Sequence, residues 1–350
     1  MAKRKKKKSR WFLVLILILI ILGLGYYLLS NKNSINLESP SFPKIEKKLK
    51  IVDEDSKSRP YAVMINNNHA ALPHAGLQDA YISYEVLAEG GITRIMALFK
   101  DQNTAKIGSV RSARPYFLDY ALENDAIYVH YGWSDQAKAD ISSLGVDNIN
   151  GLTNDGAFWR DTSLKKAREH TVFTSMDKLK TYAKKLGYDR DTNKDLLLNY
   201  SVEQVDLSKN ENAQEAKNVY MKYSYYTDTS YEYDKDNKVY KRSMSGKPHV
   251  DAVTGNQYTY KNIIITPIKA SAYDSYGRLN LSDIGSGEGY YITEGYAIPI
   301  KWSKSSRSSQ TLYTDLEGNE IKVNDGNTFI QITPPGETIT IQGENPDNEA

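Results

Sequence analysis

The sequence predicts an α/β N-terminal domain with a mixed sheet, followed by an all-β C-terminal domain, with one N-terminal transmembrane helix before them. Residues 11–29 contain no charged side chain. Residues 59–200 alternate short apolar runs with amphipathic segments of helical period. Residues 211–340 consist mainly of short runs of alternating polarity separated by turn sequences. The chain has 350 residues, 40% hydrophobic and 25% charged, which is a globular composition with room for two domains.

The transmembrane helix is predicted from the first thirty residues. Seven Lys or Arg residues form a basic tail over residues 1–10, and the apolar run of residues 11–29 is long enough to cross a bilayer. The positive charge predicts a cytoplasmic N terminus, with the later domains outside the cell. A cleaved signal peptide is the alternative, although its apolar region is usually shorter and no small-x-small pattern follows this run. We therefore expect a single-pass cell-membrane protein that contacts lipid through this helix.

Charge and residue usage argue against several kinds of function. The chain has 45 basic and 43 acidic residues, and seven of the basic ones lie in the tail, so the remainder is net negative and nucleic acid is not an expected partner. The absence of cysteine excludes disulfides, thiolate nucleophiles, a lipid-modified cysteine and Cys-based zinc sites. No phosphate loop, dinucleotide fingerprint or HExxH motif is present, and His69 and His74 lack an evident third metal ligand. Neither a cofactor nor a metal is predicted.

The elements follow from period and turn chemistry. Residues 30–58 are polar, which predicts a flexible linker, and residues 341–350 are predicted to be a disordered tail. In the first domain, strands are predicted over residues 61–65, 81–88, 92–99, 106–110 and 125–131, and helices over residues 116–123, 135–143 and 174–186. Glu89, Gly90 and Gly91 predict a hairpin between the second and third of these strands. The second domain is predicted to be a sandwich or a barrel.

Polar residues near the ends of these strands form the predicted site. Arg111 and Arg114 follow the strand of residues 106–110, and Pro115 suits the first turn of the next helix. If the strands that begin near residues 61, 81, 106 and 125 run parallel, their carboxyl ends meet at one edge of the sheet. The ligand-binding residues predicted at this edge are Asn67, Glu89, Arg94, Arg111, Arg114 and His130.

The arginines favour an anionic ligand, because a guanidinium group donates two parallel hydrogen bonds to a phosphate or a carboxylate. Arg160 is a further candidate. The alternative is that these arginines form structural ion pairs with Glu85, Glu89 or Asp119. Glu85 and Glu89 also lie on one face of the predicted strand, and a carboxylate pair is what glycoside hydrolysis requires. The residues therefore leave open whether the protein is an enzyme, with His130 and His170 as further functional candidates.

Several motifs resemble those of the YerB-like lipoprotein family of Gram-positive bacteria. In the first domain these are residues 59–67 (RPYAVMINN), 88–94 (AEGGITR) and 110–117 (VRSARPYF), followed by His130 and Gly132. In the second domain they include residues 240–242 (YKR), 262–265 (NIII) and Trp302. Family members are often tethered through a lipidated cysteine, which this chain lacks, so here the apolar helix would serve as the anchor.

The resemblance implies a two-domain extracytoplasmic protein whose biochemical activity is not established. Together with the arginines, it leads us to expect a binding or accessory factor of the cell envelope with an anionic wall ligand. A hydrolase or transferase acting on envelope glycans through Glu89 or Glu85 with His130 is the alternative. The sequence identifies no protein partner.

Overall fold

A computed structural model of the protein describes residues 7–30 and 47–343. Helix α1 (Lys7–Ser30) belongs to an N-terminal unit that extends to Lys47, and the described residues from Lys48 onward belong to one compact unit. By length and hydropathy, none of the helices in the described ranges is identified as a membrane span, so the predicted transmembrane helix is not confirmed. Parts of the predicted basic tail, linker and C-terminal tail, residues 1–6, 31–46 and 344–350, lie outside the described residues.

The described part of the compact unit contains three α-helices, many short strands and several 3-10 turns. The helices are α2 (Pro115–Glu123), α3 (Asp135–Ser143) and α4 (Met176–Leu186). The strands up to residue 201 are β1 (Tyr61–Asn66), β2 (Ile82–Leu87), β3 (Thr93–Phe99), β4 (Ile107–Gly108), β5 (Ile127–His130), β6 (Asn148–Asn150), β7 (Trp159–Arg160), β8 (Val172–Thr174) and β9 (Tyr200–Ser201). The later strands are β10 (Gln214–Glu215), β11 (Asn218–Lys222), β12 (Asp228–Asp234), β13 (Val239–Met244), β14 (Lys247–Pro248), β15 (Thr259–Tyr260), β16 (Asn262–Pro267), β17 (Ala270–Ala272), β18 (Leu279–Leu281), β19 (Gly285–Thr293), β20 (Tyr296–Lys304), β21 (Leu312–Thr314), β22 (Val323–Asn324), β23 (Thr328–Thr333) and β24 (Ile339–Gln342). The 3-10 turns are His69–Ala71, Leu77–Asp79, Glu89–Gly91, Asp155–Ala157, Arg168–His170 and Leu207–Lys209.

One mixed sheet of 11 strands runs through the whole compact unit, in the order β10-β20-β19-β16-β23-β2-β3-β1-β5-β6, with β21 beside β20. The two halves of the chain meet where β23 pairs in parallel with β2 on one side and with β16 on the other. Strands β1, β5 and β6 are mutually parallel, whereas β3 is antiparallel to both β1 and β2. The predicted α/β part and the predicted β part therefore share a sheet.

The central strands are buried on both faces, which explains their nearly continuous apolar sequences. Helices α2 and α3 pack on one face of the sheet. Helix α4 covers the other face in the first half, and a six-stranded sheet covers it in the second half, in the order β14-β13-β12-β11-β24 with β15 beside β13. The second half is thus a sandwich of two sheets.

The predicted helices and hairpin agree closely with the structure. Helix α2 begins at Pro115, α3 has the predicted bounds, and α4 starts two residues later than predicted and ends before Gly187, whose φ of 76° is left-handed. The β2–β3 connection turns through Gly90 and Gly91, with φ of 69° and 76°. Both conformations are ones that glycine adopts without strain.

Three expectations from the sequence are wrong. The strand predicted over residues 106–110 does not join the main sheet in parallel, because β4 is short and pairs antiparallel with β8 in a three-stranded sheet, β4-β8-β7. The predicted linker ends too late, since Leu49 and Val52 are buried and the amide of Ile51 bonds to Asp325. The predicted tail begins too early, since β24 continues to Gln342.

Candidate functional site

The carboxyl ends of β1, β2 and β5 lie at one edge of the main sheet, because these three strands run in the same direction. The segment 111–114 lies across the ends of β1 and β5. The amide of Arg111 donates to the carbonyl of Met64 at 2.9 Å, and the amide of Tyr131 donates to the carbonyl of Arg111 at 3.0 Å. The segment therefore reaches the predicted edge although its strand does not join the sheet.

Glu89 pairs with two of the predicted arginines. Its carboxylate accepts hydrogen bonds from Nε and Nη2 of Arg114, the latter at 3.0 Å, and from Nη2 of Arg94 at 3.4 Å. Arg94 also donates to the carbonyl of Ser112, and Arg114 to the carbonyl of Ala113. This Glu89 cluster ties the β2–β3 hairpin to segment 111–114, as the structural alternative predicted.

Electrostatics support a structural role for the Glu89 cluster. Burial alone would raise the pKa of Glu89, but the hydrogen bond from Arg114 and the charges of Arg94 and Arg114 hold that pKa below its usual value. Burial and the nearby Arg114 charge lower the pKa of Arg94 to about 10, which still leaves the guanidinium protonated at neutral pH. The cluster therefore holds one carboxylate between two cations, and that carboxylate is poorly suited to act as a general acid.

Arg111 differs from its two neighbours because its guanidinium has no hydrogen bond or ion pair with any residue in the described part of the chain. It is half-buried and lines a cavity of about 210 Å³ together with Tyr131, Arg160, Arg168 and Glu169. We call this cavity the Arg111 cavity. Burial lowers the pKa of Arg111 and the charge of Glu169 opposes that shift, so Arg111 is a cation with donors available to a ligand.

The other two arginines of the Arg111 cavity come from the segment between α3 and α4. Arg160 stacks on the ring of Tyr131, with 5.0 Å between the guanidinium carbon and the ring centroid, and donates to the carbonyl of Arg168 at 2.6 Å. The Arg168 side chain is exposed. Three guanidinium groups therefore line one small cavity against a single carboxylate, which is an arrangement that favours an anion.

Asn67 and His130 are buried and do not line the Arg111 cavity. The Asn67 amide donates to Glu85 at 2.9 Å and to Thr93 at 2.6 Å. The ring nitrogens of His130 lie 2.8 Å from the carbonyl of Gly132 and 3.1 Å from Oδ1 of Asn148. Burial lowers the pKa of His130 to about 4. The side chains of both residues therefore contact other protein groups and are not placed to bind a ligand in this cavity.

Glu85 belongs to a chain of buried hydrogen bonds that crosses between the two halves of the molecule. Arg242 joins Glu85 at 2.8 Å and His249 Nδ1 at 2.5 Å. His249 Nε2 lies 2.8 Å from His74 Nδ1, and His74 Nε2 lies 2.7 Å from the carbonyl of Asn66. Burial lowers the pKa of His74 to about 4 and that of His249 well below its ordinary value. Both rings are therefore neutral. His249 donates from Nε2 to Nδ1 of His74, and His74 donates from Nε2 to the carbonyl of Asn66.

Local sequence signals do not identify Arg168 or Arg242 as members of these clusters. Residues 155–171 show no helical or strand period, so nothing local indicates that Arg168 returns to the segment of Arg111. Arg242 lies on a strand of alternating polarity, between Lys241 and Ser243. Arg242 lies on the face of β13 that points into the protein, opposite Tyr231 of β12. Its ion pair with Glu85 forms only when the two sheets pack together, which the sequence of β13 does not indicate.

The fold and this edge define an α/β protein in which two segments of one chain build a shared mixed sheet with an arginine-lined cavity at its edge. The chain belongs to the YerB-like family, described as a protein of unknown function (DUF3048), with its N-terminal domain matched by residues 49–189 and its C-terminal domain by residues 218–330. It is 33% identical over 297 residues to Putative lipoprotein YerB of Bacillus subtilis (strain 168), covering 84% of this chain and 86% of that one. The crystal structure of the YerB protein from Bacillus subtilis is similar, with a TM-score of 0.71 and 31% identity over 84% of this chain and 97% of that chain.

Proposed function

We propose that the protein is a binding or accessory factor of the cell envelope that holds an anionic ligand in the Arg111 cavity. The observation that carries this proposal is the half-buried Arg111 guanidinium, which has no partner among the described residues and shares its cavity with Arg160 and Arg168. A phosphate or carboxylate oxygen is the group that such a set of donors recognises. In the envelope, wall polymers and peptide carboxylates carry these groups.

The geometry gives less support to an enzyme acting on envelope glycans. General acid catalysis needs a carboxyl group with a raised pKa, whereas the pKa of Glu89 is lowered by its arginine partners. Glu85 has no exposed surface and forms an ion pair with Arg242. His130 is buried, with both ring nitrogens close to protein acceptors. We therefore favour binding over hydrolysis.

We also propose that helix α1 anchors the protein in the membrane, with the compact unit outside the cell. The uncharged run within α1 is about 28 Å long as a helix, which is close to the roughly 30 Å of a hydrocarbon core. The uncharged run of residues 11–29 and the basic residues before it support this orientation. The lipoprotein name of the Bacillus subtilis relative supports an extracytoplasmic place for the compact unit.

The membrane anchor predicts how the full chain fractionates. The full chain should remain with membranes after a high-salt or alkaline wash and enter solution only with detergent, because about 19 apolar residues would lie in the bilayer. Protease added to protoplasts should digest the compact unit. A mature chain that begins near Ser30 by intact-mass measurement would contradict the anchor and favour a cleaved signal peptide.

Ligand binding predicts that Arg111→Gln weakens association with purified cell walls by about tenfold or more, the usual loss when a charge-assisted hydrogen bond is removed. The full chain, kept in detergent, is sedimented with walls at a series of wall concentrations. Walls stripped of phosphodiester-linked polymers with hydrofluoric acid form a second series. Loss of binding in that series indicates a phosphate ligand, and retained binding indicates a carboxylate.

Lys209→Gln is the matched control, because it also removes one positive charge but from a side chain that is 82% exposed. This variant should bind walls as the unchanged chain does. The melting temperature of Arg111→Gln should stay nearly unchanged, since its guanidinium has no protein partner, whereas that of Arg114→Gln should fall because Glu89 loses a buried countercharge. Equal wall binding by Arg111→Gln and the unchanged chain would remove the proposed site.

A further inference from the structure

A groove lies in the second half of the compact unit, far along the sheet from the Arg111 cavity. Its volume is about 700 Å³, within the range of ligand and peptide sites. One wall is β24, and the floor is formed by parts of β16, β19 and β20, including Pro267, Tyr290 and Pro299. We call it the β24 groove.

Strand β24 is the last strand of the six-stranded sheet, and its ladder partner is β11. The amide of Lys222 donates to the carbonyl of Thr338 at 2.9 Å, which fixes the hydrogen-bonded pairs of this antiparallel ladder. The main-chain N–H and C=O groups of Thr340 therefore point toward β11, whereas those of Ile339 and Ile341 point away from β11. These groups have no hydrogen bond to another described residue. They form an open edge that can accept another strand.

The β24 groove has the shape of a position for a missing strand. The side chains of Ile339 and Ile341 pack inward against the core between the two sheets. The six-stranded sheet ends at β24, but the main sheet continues beneath it through Tyr290 and Pro299, which remain partly uncovered. A strand added beside β24 would extend the six-stranded sheet and cover this apolar floor.

The β24 groove is acidic, and this charge favours a basic segment over an acidic one as its ligand. Glu288 and Glu337 line the groove, and none of the described residues that line it is a Lys or an Arg. Glu288 is exposed, and Lys301 opposite it on β20 donates to the carbonyl of Leu316. Glu337 makes a long contact of 3.7 Å with Lys222. The residues that follow β24 in sequence, 344–350 (ENPDNEA), are themselves acidic and are poorly matched to this groove.

We propose that the β24 groove binds an extended peptide segment of a partner protein, which adds as a strand to β24. Its main chain pairs with Ile339 and Ile341, its apolar side chains cover Tyr290 and Pro299, and a Lys or Arg side chain faces Glu288 and Glu337. This mode of recognition uses backbone hydrogen bonds for affinity and alternate side chains for selection. It is independent of the anion site and gives the protein a second, protein-binding function.

The test uses the full chain in detergent and a capped hexapeptide of alternating Val and Lys. Binding by calorimetry should be at least tenfold tighter than that of the Val–Glu hexapeptide, because the groove is acidic. Two further peptides carry N-methyl groups on all Val or on all Lys residues. Since one alternate set of amides faces β24 and the other faces away, one methylated peptide should lose binding at least tenfold and the other should keep it. Equal behaviour of the two would overturn strand addition.

Amide hydrogen exchange is a second measurement, and it shows whether the peptide binds at the free edge of β24. Saturating peptide should slow exchange at Ile339 and Ile341 but leave Thr340 unchanged, because its amide is already bonded to β11. Glu288→Lys should weaken peptide binding about tenfold or more, whereas Asp236→Lys, in the exposed turn after β12, should not. Self-association of the chain through β24 without peptide binding would overturn the proposal in favour of a second copy.

Discussion

Arg242→Ala is expected to lower the free energy of unfolding by about 3–5 kcal/mol, because it leaves a buried carboxylate without its countercharge. The guanidinium has no exposed surface and bonds to Glu85 at 2.8 Å and to His249 at 2.5 Å. The loss also interrupts the hydrogen-bond chain that joins β13 to β1. Urea denaturation at neutral pH, followed by tyrosine fluorescence and by circular dichroism, measures the change.

Lys241→Ala is the matched control for Arg242→Ala. Lys241 precedes Arg242 on β13, and its ion pair with Asp234 at 2.8 Å leaves the lysine side chain 45% exposed. Its removal should lower the free energy of unfolding far less than Arg242→Ala does, because the ion pair is exposed to solvent. The double variant Glu85→Leu with Arg242→Met should recover much of the stability lost by Arg242→Ala, since an apolar pair has no charge to desolvate. Equal stabilities of Arg242→Ala and Lys241→Ala would show that the buried pair contributes little.

The stability of the protein should depend on pH through His130. Burial lowers its pKa from 6.5 to about 4, so between these values the unfolded state binds a proton that the folded state does not. As the pH falls through this window, His130 should therefore reduce the free energy of unfolding by about 1.4 kcal/mol per pH unit. Below pH 4 both states are protonated, and no further loss from this residue is expected.

The pH effect is measured as the difference between the unchanged chain and His130→Gln, by urea denaturation at steps from pH 7.5 to pH 4. The difference is required because burial raises the pKa of Asp119 to about 7 and that of Asp283 to about 6, and both carboxyls act with the opposite sign over the same range. His130→Gln should be less stable at pH 7.5 and approach the unchanged chain toward pH 4. A constant difference across the range would contradict the prediction.

Local sequence signals predicted the helices and the hairpin because each carries its own chemistry. Ser134 and Ser175 accept hydrogen bonds at the starts of α3 and α4, and Gly187 ends α4 in a left-handed conformation. The Gly90–Gly91 pair supplies the positive φ angles of the turn. These interactions lie within a few residues of one another, so they can be read from spacing alone.

Pairing between distant strands and the fate of individual arginines could not be predicted in this way. The pattern of residues 328–332 indicates a buried strand, but nothing local states that it lies between β2 and β16. Arg111 and Arg114 are three positions apart after the same short strand, and either could have paired with Glu89. Arg114 does so because it lies immediately before α2, beside the hairpin, while Arg111 faces the segment of Arg160 and Arg168.

The position of β23 has a consequence for the order in which the chain can fold. Ile82 of β2 pairs with Thr328 of β23, so the sheet of the N-terminal half lacks a central neighbour until nearly the whole chain has been made. Contacts between residues so distant in sequence form slowly. Until β23 pairs with it, the exposed edge of β2 can pair with other chains and cause aggregation. For a chain that is exported in an unfolded form, this late pairing of β2 with β23 is an advantage. The first half cannot complete its core before the last strands have crossed the membrane.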